Sequence, residues 1–277
     1  MDKFRVILSL LLMLFAFPLI ADESVLTMGY KDKAKMPLIN VLGDNSGVYQ
    51  ALFSAAAKKA GKILKIVRQP KKRIHAGFKD GSLDFYPGAS FSKKRAAYLY
   101  YIPNGLMTKE VLITQDSQAE ITDMSQVKGR LIVESGSSKA EWDKQYPSLR
   151  IVQMTKLPIE IAVQALQSNR GDFYVADIEA VDFYQKWENL RSYKDIGLKV
   201  HHNAINKKFV PMYLGFSRKS SLFSEIVNPD YDESKGISID NFPSIISKNS
   251  FAHRLMQSLN EMKESGETQA IYDKYFK

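Results

Sequence analysis

The sequence predicts an α/β fold divided into two lobes. Apolar runs of strand length alternate with segments of helical periodicity, a pattern typical of sheets covered by helices. The alternation occurs twice, with a polar stretch at residues 114–125 between the two series. A chain of 277 residues is also long enough to bury two separate cores. We therefore expect two lobes of similar architecture, each built on a mostly parallel sheet.

The first series supplies the elements of the first lobe. Apolar side chains recur at helical spacing from Tyr49 to Ala60, where Gly61 ends the pattern. A turn at residues 79–82 precedes the last strand of the series. The predicted elements are a strand at 25–30, a helix at 49–60, a strand at 63–67, a helix at 71–78 and a strand at 83–86.

The second series repeats this order, and the end of the chain returns to the first lobe. It begins after an apolar run at 111–113 and predicts strands at 130–133, 149–154 and 173–176, with helices at 137–146 and 158–167. A strand at 212–216 then crosses back, and a long amphipathic helix from Phe251 ends near Gly266 before a final helix containing Ile271 and Tyr275. The polar segment 224–250 fits a lid, a partner surface or an insertion. The predicted division is lobe 1 at 22–112 and 206–277, and lobe 2 at 113–205.

The first 21 residues have the pattern of a secretory signal peptide. Lys3 and Arg5 precede an apolar stretch at 6–20, and Ala21 can end a cleavage site. The apolar stretch is about 15 residues, shorter than the roughly 18 to 20 that span a bilayer. We expect cleavage and a soluble exported product, with a retained N-terminal anchor as the alternative.

Composition narrows the function classes. The formal net charge is +9, which raises binding to nucleic acid or to an anionic surface as possibilities. Export argues against nucleic acid, and the basic residues are interspersed with acidic ones, which favours a solvated surface and leaves an anionic ligand open. The absence of Cys excludes disulfides, thiolate metal sites and a Cys nucleophile. The basic residues considered are Lys31, Lys58, Lys72, Lys94, Lys128, Lys207 and Lys277.

Metal and cofactor sites are not expected. The four histidines are scattered without a carboxylate cluster at metal spacing, and the adjacent His201 and His202 are interpreted as solvated loop residues. Dinucleotide fingerprints, phosphate-binding Gly-Lys loops and Gly-x-Ser-x-Gly motifs are absent from the sequence.

Four motifs in order carry a resemblance to a known family. They are Gly81-Ser82-Leu83-Asp84 with the segment Ser90-Phe91-Ser92-Lys93-Lys94-Arg95; Val127-Lys128-Gly129-Arg130 with Gly136-Ser137-Ser138; Asn169-Arg170-Gly171-Asp172 with Asp177; and the ending from Leu255 to Phe276. Together they resemble the bacterial extracellular solute-binding proteins related to polar amino-acid receptors of ABC importers. The resemblance covers nearly the whole mature chain and implies a type II periplasmic binding fold, with two hinge strand crossings and a central ligand cleft.

The resemblance also implies roles for individual residues. Arg95 would hold a ligand carboxylate through its planar guanidinium, with Ser90 beside it. The Ser137 and Ser138 loop would grip the same carboxylate from the other lobe, and Asp177 would pair with a ligand ammonium. The competing interpretations are a surface position for Arg95, helix caps for the serines, including Ser92, and a surface or capping carboxylate for Asp177.

Departures from the family pattern leave the ligand open. The segment Lys35-Met36-Pro37-Leu38-Ile39 stands where family members often carry Pro-Pro-aromatic, and Pro87 and Gly88 replace a more usual polar pair. Tyr30, Tyr86 and Phe91 are candidates to line a pocket, although aromatic residues next to strands more often belong to the core. We expect an amino acid or a related carboxylate, and an anionic or modified ligand is also consistent with these departures.

The predicted function is capture of a small polar ligand by hinge closure. An inner-membrane ABC permease would then recognise the closed form, with the receptor acting as a monomer without cofactor. Two alternatives stay open. One is an enzyme of the same fold that resembles cyclohexadienyl dehydratases, for which Glu134, Asp177 and Glu179 are the candidate acids or bases. The other is the ligand-binding part of a sensory system.

Overall fold

The computed structural model describes residues 25–276, and the predicted leader at residues 1–21 lies outside the described residues. The elements of the first half of this range are β1 (Val25–Lys31), α1 (Val48–Lys59), β2 (Ile63–Gln69), α2 (Lys71–Asp80), β3 (Phe85–Tyr86), α3 (Lys93–Ala96), β4 (Leu99–Thr108), β5 (Glu110–Gln115) and β6 (Gly129–Glu134). Those of the second half are α4 (Trp142–Gln145), β7 (Leu149–Met154), α5 (Ile159–Gln167), β8 (Phe173–Asp177), α6 (Ile178–Trp187), β9 (Leu198–His201), β10 (Val210–Ser217), β11 (Glu225–Val227), β12 (Ser244–Ile246), α7 (Phe251–Glu264) and α8 (Glu267–Phe276).

Two five-stranded sheets of the same design organise these elements. Their strand orders are β2-β1-β3-β10-β4 and β7-β6-β8-β5-β9. In each sheet four of the five strands run in the same direction, and one strand, β10 in the first sheet and β5 in the second, is antiparallel to both of its neighbours. The predicted repeat of architecture and the prediction of mostly parallel sheets are therefore confirmed. We call lobe 1 the first sheet with its helices, and lobe 2 the second.

The two faces of the lobe 2 sheet show how the sequence specifies the core. Successive side chains of a strand point to opposite faces. Val111 and Ile113 of β5 accordingly pack with α5 and α6, while Leu112 between them packs on the other face with Leu131 and Val133 of β6. All five side chains are buried, so both faces of this sheet are covered by apolar layers.

The long helix α7 packs on lobe 1 along one apolar stripe. Phe251, Leu255, Leu259 and Met262 recur at helical spacing and are buried. The Ser250 hydroxyl accepts a hydrogen bond from the His253 N–H at 3.2 Å and so caps the first turn. The predicted terminal helices are confirmed.

Two of the family-like motifs support the fold of lobe 2 directly. The Asp172 carboxylate accepts hydrogen bonds from the main-chain N–H and the guanidinium of Arg130, at 2.7–3.1 Å. Gly171 lies against β6, where an added Cβ would come within 2.2 Å of Ile132. These contacts fix β8 beside β6 and so position the Asp177 end of β8.

The chain passes between the lobes twice, at adjacent points. Lys109 alone separates β4 from β5, and residues 202–209 connect β9 to β10. The Lys109 ammonium donates to Asn203 Oδ1 at 3.2 Å, and the Glu110 N–H donates to Asn206 Oδ1 at 3.1 Å, so the two crossings are tied together. The predicted lobe boundaries at residues 112 and 205 stay predictions.

Some elements depart from expectation. The ten-residue strand β4 was not predicted, because Pro103, Asn104 and Gly105 have the composition of a turn. The structure accommodates these residues within the strand through an irregular register against β10 and a positive φ of 86° at Gly105. The helix predicted at 137–146 is instead a 3-10 turn at Ser138–Glu141 followed by the four-residue α4.

His201 corrects a further expectation, since it is fully buried rather than solvated. Its ring nitrogens lie 2.8 Å from Thr114 Oγ1 and 3.1 Å from the Ile121 N–H, so the imidazole joins β9 to neighbouring segments. Within residues 25–276, no helix combines the length and the apolar character needed to cross a membrane.

Candidate functional site

A cavity of about 760 Å³ lies where the carboxyl ends of strands from both sheets meet. In open α/β sheets, ligands bind at these strand ends because the loops there present side chains and free main-chain groups. Lobe 1 contributes the ends of β1 and β3, and lobe 2 contributes the ends of β6 and β8. The cavity is therefore formed jointly by the two lobes.

Three lysines at the end of β1 face this cavity. All three line it, Lys31 as the last residue of β1 and Lys33 and Lys35 in the loop that follows. Lys31 and Lys33 reach across to lobe 2, where both pair with Glu134 at the end of β6, at 3.1 and 3.0 Å. The Lys33 ammonium also donates to the Thr155 carbonyl at 2.6 Å. One carboxylate of lobe 2 thus lies between two cations of lobe 1.

In the triad of Lys31, Lys33 and Glu134, the two lysines stabilise the charged form of the carboxylate. Burial would raise the pKa of Glu134, but Lys31 and Lys33 outweigh burial and hold it below its ordinary value. Burial lowers the pKa of Lys31, and Glu134 only partly offsets that shift. At neutral pH Glu134 is therefore a carboxylate, held by electrostatic attraction across the cleft.

Lys35 forms a second bridge between the lobes by pairing with Asp177 at the end of β8. Burial would lower the pKa of Lys35, but Asp177, with smaller contributions from Tyr49 and Tyr30, raises it well above its ordinary value. Burial would likewise raise the pKa of Asp177, but Lys35 outweighs it and the pKa is lowered. Although Asp177 directly precedes α6, its side chain makes no capping hydrogen bond there. The capping alternative for Asp177 is therefore wrong.

Arg68 at the end of β2 fixes the loop that carries these lysines. Its guanidinium donates to the carbonyls of Lys31, Lys33 and Asn40 at 2.7–3.0 Å. Farther along the loop, the main-chain groups of Lys35 and Ile39 exchange two hydrogen bonds of 2.8 and 3.0 Å. The lysine side chains therefore project from an ordered loop.

Four tyrosine side chains also line the cavity. Tyr30 stacks on Tyr86 with ring centroids 5.1 Å apart and meets Tyr49 edge to face at 6.0 Å. Tyr174 of lobe 2 also lines the cavity. Gly88 permits the close approach of Tyr49, since an added Cβ at Gly88 would lie 2.2 Å from the Tyr49 hydroxyl oxygen. These rings give the site rigid surfaces with polar edges.

A second group of cations lies where α2 and α3 face the loop after β6. Lys71 donates to the Gly136 carbonyl at 2.9 Å, a further contact across the cleft. Burial, followed by the charge of Arg95, lowers the pKa of Lys71. The same two causes lower the pKa of His75 to about 4, so this imidazole is neutral at pH 7. Among the described residues, the Arg95 guanidinium has no hydrogen bond or ion pair.

Glu179, in the first turn of α6, is a buried carboxyl beside the crossing between the lobes. It is 1% exposed, and its Oε2 accepts a hydrogen bond from Thr108, the last residue of β4, at 2.9 Å. Its Oε1 has no hydrogen-bond partner among residues 25–276. Burial, then the nearby Asp177, raises the pKa of Glu179 to about 7. Glu179 does not line the cavity.

A family comparison agrees with this architecture. The model of the bacterial extracellular solute-binding proteins, family 3, matches residues 26–277. The chain belongs to this family. A search of curated protein sequences found no significant match.

Solved structures show the same two-lobe fold for this solute-binding protein. An ancestral arginine-binding protein bound to arginine superposes with a TM-score of 0.65 at 17% identity, covering 91% of this chain and 98% of that one. The GluR0 ligand-binding core from Nostoc punctiforme with L-glutamate gives 0.64 at 17% identity, covering 91% and 99%. The periplasmic VFT2 domain of Bordetella pertussis BvgS gives 0.64 at 13% identity, covering 92% and 94%. At such identities these likenesses establish the fold alone.

The structure places the predicted site residues of the solute-binding protein in two groups. Tyr30, Tyr86, Ser137 and Asp177 line the cavity, whereas Ser90 and Arg95 do not. The last two lie in lobe 1, where Ser90 is exposed and Arg95 is half-buried. Their roles in ligand binding stay predictions.

The serine predictions have different outcomes. The Ser137 hydroxyl accepts a hydrogen bond from the Lys139 N–H at 3.2 Å, so it caps the 3-10 turn while it lines the cavity. Ser138 begins that turn, but its side chain lies outside the described part of the structure. The capping role considered for Ser92 is wrong, because its side chain makes no such bond. Phe91 packs on Tyr101 instead of lining the cavity.

The lysines at the end of β1 are the main functional candidates that sequence reasoning missed. Interpreting Lys31 as solvated surface is wrong, since its side chain is 20% exposed and paired with Glu134. The alternation Lys31-Asp32-Lys33-Ala34-Lys35 directly after a parallel strand was the available signal. Within residues 25–276, no group of three or more His, Cys, Asp or Glu side chains is arranged to hold a metal ion.

Proposed function

We propose that this protein is a periplasmic receptor that captures a small polar ligand, an amino acid or a related carboxylate, by closing its two lobes over it. The observation that carries the proposal is a cavity formed by both lobes and spanned by Lys31, Lys33 and Lys35 of one lobe and Glu134 and Asp177 of the other. A ligand that binds between these groups would favour the closed arrangement over the open one.

Closure requires a hinge, and the two adjacent crossings provide one. The single residue Lys109 and the segment 202–209 connect the lobes, while the remaining contacts between them include side-chain pairs that can separate. Domain closure around a ligand commonly uses a few connecting residues of this kind. We further propose that a membrane-bound ABC importer recognises the closed, monomeric receptor, consistent with its family.

The chemistry of the cavity favours binding over catalysis. A general acid or base works best with a pKa near the operating pH. Glu134 and Asp177 line the cavity, but lysines hold the pKa of each below its ordinary value. Glu179 has a pKa near 7 but lies outside the cavity lining. A dehydratase-like enzyme would show product formation from prephenate or arogenate that disappears in Asp177→Asn, and that result would replace the receptor proposal.

A thermal-shift screen over amino acids, small carboxylates and amines tests ligand capture. A compound that binds only the folded state raises the melting temperature by mass action, by an amount that grows with concentration. Hits should be confirmed by titration calorimetry on the wild type and two variants. Arg95→Lys tests the predicted contact with the ligand carboxylate, and Lys94→Arg, at an exposed neighbour on α3, is the control. Failure of every compound to bind would contradict the receptor function.

The importer role needs a separate test in cells. Deleting the gene should abolish high-affinity uptake of the confirmed ligand, and the wild-type gene should restore it. If uptake is unchanged while binding is retained, the sensory alternative replaces the importer role and the receptor chemistry stands.

A further inference from the structure

Four carboxylates line the cavity, at Asp32, Glu134, Glu160 and Asp177, and the two that pair across it already have cationic partners within the protein. Asp177 pairs with Lys35, and Glu134 pairs with Lys31 and Lys33. A ligand ammonium that used Asp177 would have to displace Lys35 or lie close to it. The ligand ammonium and the Lys35 ammonium would repel each other at close range, and Lys35 and Asp177 are both half-buried, so water screens this repulsion only in part. This arrangement disfavours an ammonium at the Asp177 end of the cavity.

Other cations next to the cavity have no carboxylate partner. Lys71 contacts a carbonyl oxygen, at Gly136, and the Arg95 guanidinium makes no hydrogen bond or ion pair to a described residue. Burial, and then the positive charge of Arg95, lowers the pKa of Lys71. An incoming anion would be attracted to both cations.

Part of the cavity lining is apolar, which suits the body of an organic molecule better than a small inorganic anion. The lining combines these apolar side chains with the charged ends described above. The apolar lining residues include Met36, Val41, Leu157, Ile159, Ile161 and Phe183.

From these observations, and building on the proposed receptor function, we infer that the ligand is an organic carboxylate without an ammonium group, and that Lys35 takes the place of the ligand ammonium on Asp177. The carboxylate binds to the cations that lack a carboxylate partner, and the Lys35 to Asp177 pair persists in the complex. This departs from the zwitterionic ligand that Arg95 and Asp177 together imply.

Matched ligand pairs test the inference in the wild-type protein. Each pair differs only in the α-amino group: aspartate and succinate, glutamate and glutarate, phenylalanine and 3-phenylpropionate. Titration calorimetry should show that, in any pair that binds, the acid without the amino group binds at least about tenfold more tightly. Tighter binding of the amino acid in such pairs would overturn the inference while leaving the receptor function intact. Binding of no probe, together with no hit in the wider thermal-shift screen, would overturn both.

A variant then tests whether Lys35 causes the preference. Lys35→Met removes the ammonium, keeps most of the side-chain volume and leaves Asp177 free for a ligand ammonium. The affinity ratio within a pair should shift by about tenfold or more toward the amino acid. Lys72→Met, which removes an exposed lysine of α2, is the matched control and should leave the ratio unchanged. An unchanged ratio in a folded Lys35→Met would overturn the role of Lys35. If that variant does not fold, the wild-type pairs still decide the ligand class.

Discussion

Lys35 and Asp177 lie 142 residues apart in the sequence and form an ion pair that joins lobe 1 to lobe 2 across the cavity. Their side chains are 31% and 25% exposed, so solvent screens the pair only in part. If the lobes close as proposed, this pair couples closure of the cleft to the charge state of its walls.

Removing one partner of this pair should destabilise the protein. Asp177→Asn leaves the half-buried Lys35 without its counter-ion, and we expect a loss of about 1–2 kcal/mol in the free energy of unfolding. A double-mutant cycle with Lys35→Met, measured by urea unfolding, should give a coupling of about 1 kcal/mol. The exposed pair of Glu141 and Lys144, at 3.0 Å, is the control and should give a much smaller coupling. Equal coupling in both cycles would contradict a structural role for the Lys35 pair.

Glu134→Gln should open the ligand-free cleft. The amide cannot provide the negative charge that attracts Lys31 and Lys33, so two contacts between the lobes weaken. Because the chain contains no Cys, spin labels on Lys72→Cys and Gln145→Cys can report the distance between exposed sites of the two lobes. The distance distribution should move to longer values in Glu134→Gln and stay unchanged in Glu141→Gln. A distribution identical to wild type in both would show that the triad does not hold the lobes together.

Glu179 should make stability fall as the pH rises. The pKa of Glu179 is about 7 in the folded state, above its ordinary value of 4.5. At a pH between 4.5 and 7, the folded protein therefore binds more protons than the unfolded chain. The stabilisation is fully present below pH 4.5 and is lost as the pH rises through 7. The difference in unfolding free energy between wild type and Glu179→Gln should fall by about 2–3 kcal/mol from pH 5 to pH 8.

The matched control for this measurement is Glu188→Gln, at an exposed carboxyl just after α6. It should reproduce the pH dependence of the wild type. If Glu179→Gln also shows the wild-type dependence, its carboxyl is not the group that titrates.

Gly88→Ala should distort the cavity through Tyr49. The added Cβ would lie 2.2 Å from the Tyr49 hydroxyl oxygen and 3.0 Å from Cζ, so the ring must move. We expect a stability loss of about 1–3 kcal/mol and weaker ligand binding. Tyr49→Phe removes the nearest atom, so the double variant Gly88→Ala/Tyr49→Phe should recover much of the stability. Additive losses in urea unfolding would contradict this steric explanation.

The sequence predicted the two-lobe fold well because apolar periodicity determines which elements form and which faces are buried. It failed where local composition and tertiary context disagree, as in β4, where Pro103 and Gly105 lie in a strand stabilised by pairing with β10. Periodicity correctly favoured mostly parallel sheets, but it could not reveal that β5 and β10 run antiparallel to their neighbours.

The candidate site was only partly predictable. Asp177, Tyr30, Tyr86 and Ser137 could be selected because strand ends and the family resemblance indicate such positions, and all four line the cavity. Lys35 could not be paired with Asp177 from the sequence, since the two residues meet only when both lobes are assembled. That pairing is what changes the expected ligand chemistry.

A crystal structure of the complex with the tightest-binding acid from the matched pairs would test the central claim most directly. We predict that the ligand lies in the cavity between the two sheets, with its carboxylate within hydrogen-bonding distance of Lys71 or Arg95, and with Lys35 still paired to Asp177. Ligand density outside this cavity, or a ligand group bound to Asp177 in place of Lys35, would contradict it.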